Sequence, residues 1–178
     1  MFGVIRTTGK LDIVQSNIRG WGGFALFKRA KAEIQCMIAN FATNDQICLL
    51  LDEEAACRVQ VPSPNPTAAL VMAALGIHNA DSNGVVYGDV AVGCYRNDDF
   101  VRLDTPARDA LVALVSIINE YKSGRLSKAD KRGFELNLPA FARKKLSIEM
   151  YGKLVPEKAK AAKKRVKVSV ILSNEESE

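Results

Sequence analysis

A chain of 178 residues is long enough for one domain with a sizeable hydrophobic core, and 48% hydrophobic with 25% charged residues is the composition of a folded chain. A net charge of +5 and a pI of about 9.1 favour an anionic partner. No apolar run reaches the ~18–20 residues of a membrane span, so no transmembrane segment is expected.

Phe2 to Gln15 alternates apolar and polar residues around Thr8-Gly9 and predicts a β-hairpin. Ser16 to Gly23 reads as a loop ending in GWGG. From residue 24 to 41 the period changes: Phe27, Ala30, Ile34, Met37, Ile38 and Phe41 recur at three- and four-residue steps, which predicts one amphipathic helix. QICLLL (46–51) and CRVQV (57–61) are strand candidates, and the three prolines of PSPNP (62–66) break the pattern.

Asn65 is placed to cap a short helix that starts at Pro66 and stops at Gly76. HNADSNG (78–84) reads as a loop, residues 84–96 as strand-like, and RNDDF as a turn. Thr105-Pro106 opens a helix with Leu111, Leu114, Val115, Ile118 and Tyr121 on one face and Gly124 as its stop. Residues 125–133 read as a basic loop and FELNL (134–138) as a short strand. Pro139 starts a helix with Phe141, Leu146, Met150 and Leu154 apolar, which Pro156 ends. An alanine-lysine block, a strand at VKVSVIL (166–172) and a frayed acidic tail (173–178) complete the chain. Without regular βαβ alternation, the expected class is α+β: one domain over residues 1–172, its mixed or antiparallel sheet packed by two or three amphipathic helices.

Candidate chemistry is sparse. His78, the one histidine, has no nucleophile signature beside it and reads as a surface residue. Asp98-Asp99, with Asp89 or Asp104, would hold a metal only if the carboxylates converged; turn and cap roles explain them more simply. GWGG lacks the P-loop and dinucleotide patterns and reads as a turn presenting Trp21, a candidate partner anchor. Cys36, Cys48, Cys57 and Cys94 show no metal-ligand spacing and read as reduced, mostly buried thiols, which implies an intracellular setting. The start, MFGVIRTTGK, lacks the layout of a secretory signal. No catalytic residue, metal or cofactor is expected.

Charge carries the strongest signal. Residues 122–167 hold fifteen Lys/Arg against four Asp/Glu, a net +11, which leaves −6 on the remainder. The basic patch comprises Arg125, Lys128, Lys131, Arg132, Arg143, Lys144, Lys145, Lys158, Lys160, Lys163, Lys164, Arg165 and Lys167. A solvated helix face normally interleaves Glu with Lys, and this run is nearly single-signed. Nucleic acid, ribonucleoprotein and an anionic membrane are all phosphate arrays that such a surface suits. Few aromatics lie among the basic residues, so sequence-independent backbone contact is expected.

The element order resembles that of rhabdovirus matrix proteins, especially the short ones of plant-infecting members. The likeness lies in the leading hairpin and helix (FGVIRTTGKLDIVQ, FALFKRAKAEIQCMIANF), in VVYGDVAVGCYRNDD followed by a long helix, and in the ending FARKKLSIEMYGKLVPEKAKAAKKRVKVSVIL, similar in layout to a C-terminal helix and strand. The basic charge at this end is a departure from the family. The resemblance implies a non-enzymatic, self-associating structural protein that joins nucleocapsid to membrane, in the host cytoplasm or the virion. A lysine-rich N-terminal arm and a PPxY budding motif have no counterpart here. The alternatives are a sequence-independent nucleic-acid-binding protein of other origin and a small inhibitor or adaptor that binds a protein.

Overall fold

The structure is a computed structural model that describes residues 1–16, 23–77 and 85–156. Strands β1 (Phe2–Ile5) and β2 (Leu11–Val14) pair antiparallel, with Phe2 opposite Val14 and Ile5 opposite Leu11. Their turn is closed by Gly9 N–H donating to the Arg6 carbonyl (2.8 Å) and Arg6 N–H donating to the Lys10 carbonyl (2.8 Å). Gly9, at φ +84°, occupies the left-handed position that such a bulged turn requires.

Helix α1 (Gly23–Glu33) starts near the expected place but stops well short of residue 41. Gln35 takes φ +52°; its N–H donates to the Ala32 carbonyl and the Cys36 N–H to the Lys31 carbonyl. This pair of hydrogen bonds closes the helix as a Schellman motif, with Gln35 where glycine or asparagine is usual. The chain then forms β3 (Ala39–Thr43), whose Ala39 and Thr43 lie opposite Asp52 and Cys48 of β4 (Ile47–Asp52). Sheet pairing therefore overrides the helical period that Met37, Ile38 and Phe41 continue by coincidence. All three are exposed rather than buried.

The CRVQV strand expectation also fails. A 3-10 turn covers Ala55–Cys57 and the chain is irregular beyond it, with Val59 and Val61 in solvent. Helix α2 (Pro66–Leu75) is capped as expected: Asn65 Oδ1 accepts from the Ala68 N–H (3.0 Å), and Gly76 ends it at φ +67°. Apolar on every side, α2 is buried along almost its whole length.

Strand β5 (Val90–Arg96) is shorter than the 84–96 expected, and it is the centre of the sheet. One edge pairs with β1 and then, further along, with β6 (Asp99–Val101); the other pairs with β4. The order is β2-β1-β5-β4-β3 with β6 beside β5, antiparallel throughout. Asn97 and Asp98, both at positive φ (52° and 59°), make the two-residue turn between β5 and β6 that matches strand twist.

Both faces of the sheet are covered. Under α1, Leu26, Ala30 and Ile34 bury Phe2, Val4, Leu50, Ala91 and Phe100. On the other face Ile5, Leu49, Val90 and Val92 join the larger core with α2 and α3 (Thr105–Lys122). Asp104 Oδ1 caps α3 at the Ala107 N–H (2.9 Å), and the five apolar residues expected on its inner face are buried.

Two further corrections concern the basic region. The expected loop at 125–133 and strand at 134–138 are largely one helix, α4 (Lys128–Leu136). Ser127 explains it: its Oγ accepts from the Asp130 N–H (3.1 Å) and donates to the Asp130 carboxylate (3.0 Å). Helix α5 (Leu138–Gly152) follows at once, capped by Asn137 at Ala140 N–H, and is broken at Ser147. The fold class is α+β, as expected. The alanine-lysine block, VKVSVIL and the tail lie outside the described residues, as do Trp21 and His78.

Replacing Leu114 or Ile118 with Ala, both fully buried, is expected to cost about 2–5 kcal/mol by chemical denaturation. Wild-type-like midpoints would contradict the packing. All four cysteines are free thiols, with Cys57 exposed and the others buried. Burial pushes the Cys48 thiol up to about 12 and Cys36 to about 11. A thiol reagent is thus expected to label Cys57 rapidly in native protein and the other three only after unfolding.

Candidate basic interface on the helical hairpin

Phe134 positions the interface. It is fully buried, stacked on Tyr121 of α3 with ring centroids 3.9 Å apart, and edge-on to Phe141 of α5 at 5.6 Å. Gly133 brings α4 against Phe141, since a Cβ there would stand 3.2 Å from its ring. With the apolar side of α4 held by this one aromatic, the polar side turns outward.

The structure describes seven of the thirteen basic residues expected from sequence. Arg125 precedes α4; Lys128, Lys131 and Arg132 lie on α4; Arg143, Lys144 and Lys145 lie on α5; all seven are exposed. Lys128, Lys131 and Arg132 stand at i, i+3 and i+4 and so share one face of α4. Two of the seven have carboxylate partners: Lys145 Nζ lies 2.9 Å from Asp130, and Lys131 Nζ lies 3.9 Å from Glu135. The other five have no ion-pair partner within 4.0 Å among the described residues. Lys153, exposed near the end of the hairpin, adds to the same charge although it lies outside the expected patch.

The acids of the hairpin are largely committed. Lys145 and then Ser127 hold the Asp130 carboxyl below its ordinary value. Glu135 Oε1 accepts from Tyr121 Oη at 3.1 Å, and burial followed by this carboxylate pushes the Tyr121 hydroxyl up to about 12. Lys158, Lys160, Lys163, Lys164, Arg165 and Lys167 lie outside the described residues.

A second polar cluster was not legible in the sequence. A cleft of about 290 Å³ is lined by Arg6, Glu33, Asp52, Arg58, Tyr87 and Asp89, among others. Arg6 spans it, with Nε 2.9 Å from Asp12, Nη2 2.8 Å from Glu33 and Nη1 3.0 Å from Asp89. Arg58 pairs with Asp52. These carboxylates are committed to guanidinium groups that tie β1, α1 and the entry to β5 together, a structural use.

The other acidic candidates are separated by role. Asp98 accepts from Tyr95 Oη (3.0 Å) in the turn, Asp104 caps α3, and Asp89 belongs to the Arg6 cluster. Among the described residues no group of three or more His, Cys, Asp or Glu stands close enough to hold a metal. At the end of the glycine-rich loop, a Cβ on Gly23 would overlap the Asp99 carboxylate. The first turn of α1 thus already faces a carboxylate of the chain itself. No helix among the described residues is long and apolar enough to cross a membrane.

Comparison with protein-family models, curated proteins and solved structures gives no match.

Ser147 interrupts α5 at φ +70° and ψ 159°, a region almost confined to glycine that costs about 1–3 kcal/mol for other residues. Its Oγ caps the next turn at the Met150 N–H (3.3 Å). Replacing an N-cap serine by glycine loses only a few tenths of a kcal/mol. Ser147→Gly is therefore expected to raise stability by about 1 kcal/mol in denaturant titration; a loss would contradict the strained backbone.

Proposed function

We propose that the protein is a non-enzymatic assembly protein of matrix type whose α4–α5 hairpin contacts phosphate arrays by charge. The supporting observation is the exposure of six basic side chains on one helical hairpin, with Arg125 just before it, five of the seven without a carboxylate partner among the described residues. Helical placement matters, because it holds the charges at fixed spacing rather than on a loop. Nucleocapsid RNA and an anionic bilayer both present phosphates at the density such a surface meets.

Self-association, the other half of the proposal, draws on a different surface. Phe24, Met37, Ile38 and Phe41 are exposed on or beside α1 and β3. The Phe41 and Phe27 rings meet at a tilt with centroids 5.4 Å apart, and among the described residues β3 is an edge strand, paired only with β4. Exposed apolar residues beside an unpaired strand edge favour contact with another protein surface. The same feature suits the adaptor alternative, so the two readings separate on the partner: a second copy or a different protein.

Light scattering on a sizing column, before and after nuclease, tests the assembly reading; oligomers that survive nuclease are the expected result. For the charge reading, Arg132, Arg143 and Lys144 are reversed to Glu together. The slope of log K against log salt for RNA is then expected to flatten by about 2–3, at roughly 0.7–0.9 for each phosphate no longer neutralised. Equal weakening on unrelated sequences is expected. An unchanged slope would reduce the hairpin to a solvated face.

A further inference from the structure

We propose that Ser147 is a phosphorylation site for a basophilic serine kinase, and that phosphate there switches the basic hairpin off. The switch rests on the charge-contact reading of the hairpin; the modification does not.

Four observations meet at this residue. Ser147 is exposed and follows Arg143, Lys144 and Lys145, all exposed. Kinases that carry acidic residues at the substrate cleft select basic side chains just before the acceptor hydroxyl, by charge complementarity. Next in the chain is Ile148, 66% exposed and so without a place in the core. It is available as an apolar anchor immediately after the hydroxyl. Finally, the backbone at Ser147 is already out of helix, at φ +70°. A kinase binds its substrate extended, and opening the chain here relieves strain where opening an intact helix would break hydrogen bonds.

Ser127 provides a contrast within the same hairpin. It follows Arg125 by two residues and Lys122 by five, but its Oγ is engaged twice with Asp130 at the start of α4. Modification there would oppose the Asp130 carboxylate. At Ser147 the Oγ accepts one hydrogen bond, from the Met150 N–H (3.3 Å), and the three cations Arg143, Lys144 and Lys145 precede it against a single acid, Glu149, two residues on.

The transfer is balanced by Mg·ATP. The Ser147 Oγ–phosphorus bond forms as the bond from the γ-phosphorus to the bridging oxygen breaks. ADP leaves with that electron pair, and the hydroxyl proton goes to the kinase's catalytic carboxylate. A phosphoserine carries about −1.5 to −2 at neutral pH and offsets roughly two of the unpaired cations beside it.

The test uses the full chain, a purified cyclic-AMP-dependent kinase catalytic subunit and Mg·ATP, with the modified residue located by mass spectrometry. Phosphate is expected on Ser147 in wild type and in Ser127→Ala, and is absent from Ser147→Gly, which retains the backbone. Binding to a short single-stranded RNA and to phosphatidylserine vesicles is measured before and after. The modified protein is expected to bind roughly 10- to 30-fold more weakly at low salt, with Ser147→Gly unaffected by the kinase treatment. Absence of phosphate at Ser147 overturns the proposal, and phosphate there with unchanged affinity overturns the switch. If unmodified protein binds neither probe, the charge-contact reading fails and the switch with it, while the mapped residue still decides the modification.

Discussion

Strand β5 is hydrogen-bonded along both edges, to β1 and β6 on one side and to β4 on the other, and is buried on both faces. A strand in that position tolerates little change. Gly93 is its tightest point, because a Cβ there would lie 2.7 Å from the Phe100 ring and from the Val101 carbonyl oxygen. The hairpin to β6 folds that close only because the side chain is absent. With β5 fixed, α1 closes one face and α2 and α3 the other. Arg6 then fastens the periphery: Asp12, Glu33 and Asp89 come from the strand beside it, the end of α1 and the approach to β5. Each of these pairs is partly exposed and individually weak, but together they fix three elements around one guanidinium.

The basic hairpin is anchored to that body along its apolar side, where Leu138, Ala142, Leu146 and Leu154 join the larger core. Phe134 joins α4 to α3 and α5, Tyr151 donates from its hydroxyl to the Ala74 carbonyl of α2 (2.7 Å), and Asn44 Nδ2 donates to the Leu154 carbonyl (2.9 Å). The apolar side of the hairpin is thus committed to the core and its cations to solvent. This division lets a folded domain carry a dense positive field without placing charge in its interior.

Much of the fold was legible where a single physical cause dominates. Asn65 and Pro66, Asp104 and Pro106, and the glycine of the first turn each act locally, and local chemistry appears directly in sequence. The α3 face was equally plain, since Leu111 to Tyr121 bury one stripe and nothing competes with it. Failure came where two causes overlapped. Met37, Ile38 and Phe41 continue a helical period that Gln35 ends, and glutamine is not the residue one expects at a left-handed helix stop. In the basic region, density of charge conceals the Ser127 cap and the buried Phe134, so a helical segment reads as loop and strand. The Arg6 cluster joins residues up to 83 positions apart, which no periodicity can reveal. Within the interface, the exposure of Arg143, Lys144 and Lys145 was legible from the apolar face of their helix, and Arg125, Lys128, Lys131 and Arg132 are exposed as well. The pairing of Lys131 and Lys145 with carboxylates required the structure.

The central claim is that the outward side of α4 and α5 is the surface that meets phosphate. Lysine acetylation followed by mass spectrometry measures this directly in unmodified protein, with and without bound RNA or phosphatidylserine vesicles. Lys10 and Lys28, exposed on the β1–β2 turn and α1, serve as internal references. Protection concentrated at Lys128 and Lys144, with Lys10 and Lys28 unchanged, is the result this account predicts. Uniform labelling in the presence of a saturating ligand, or protection centred on Lys10 and Lys28, would contradict it.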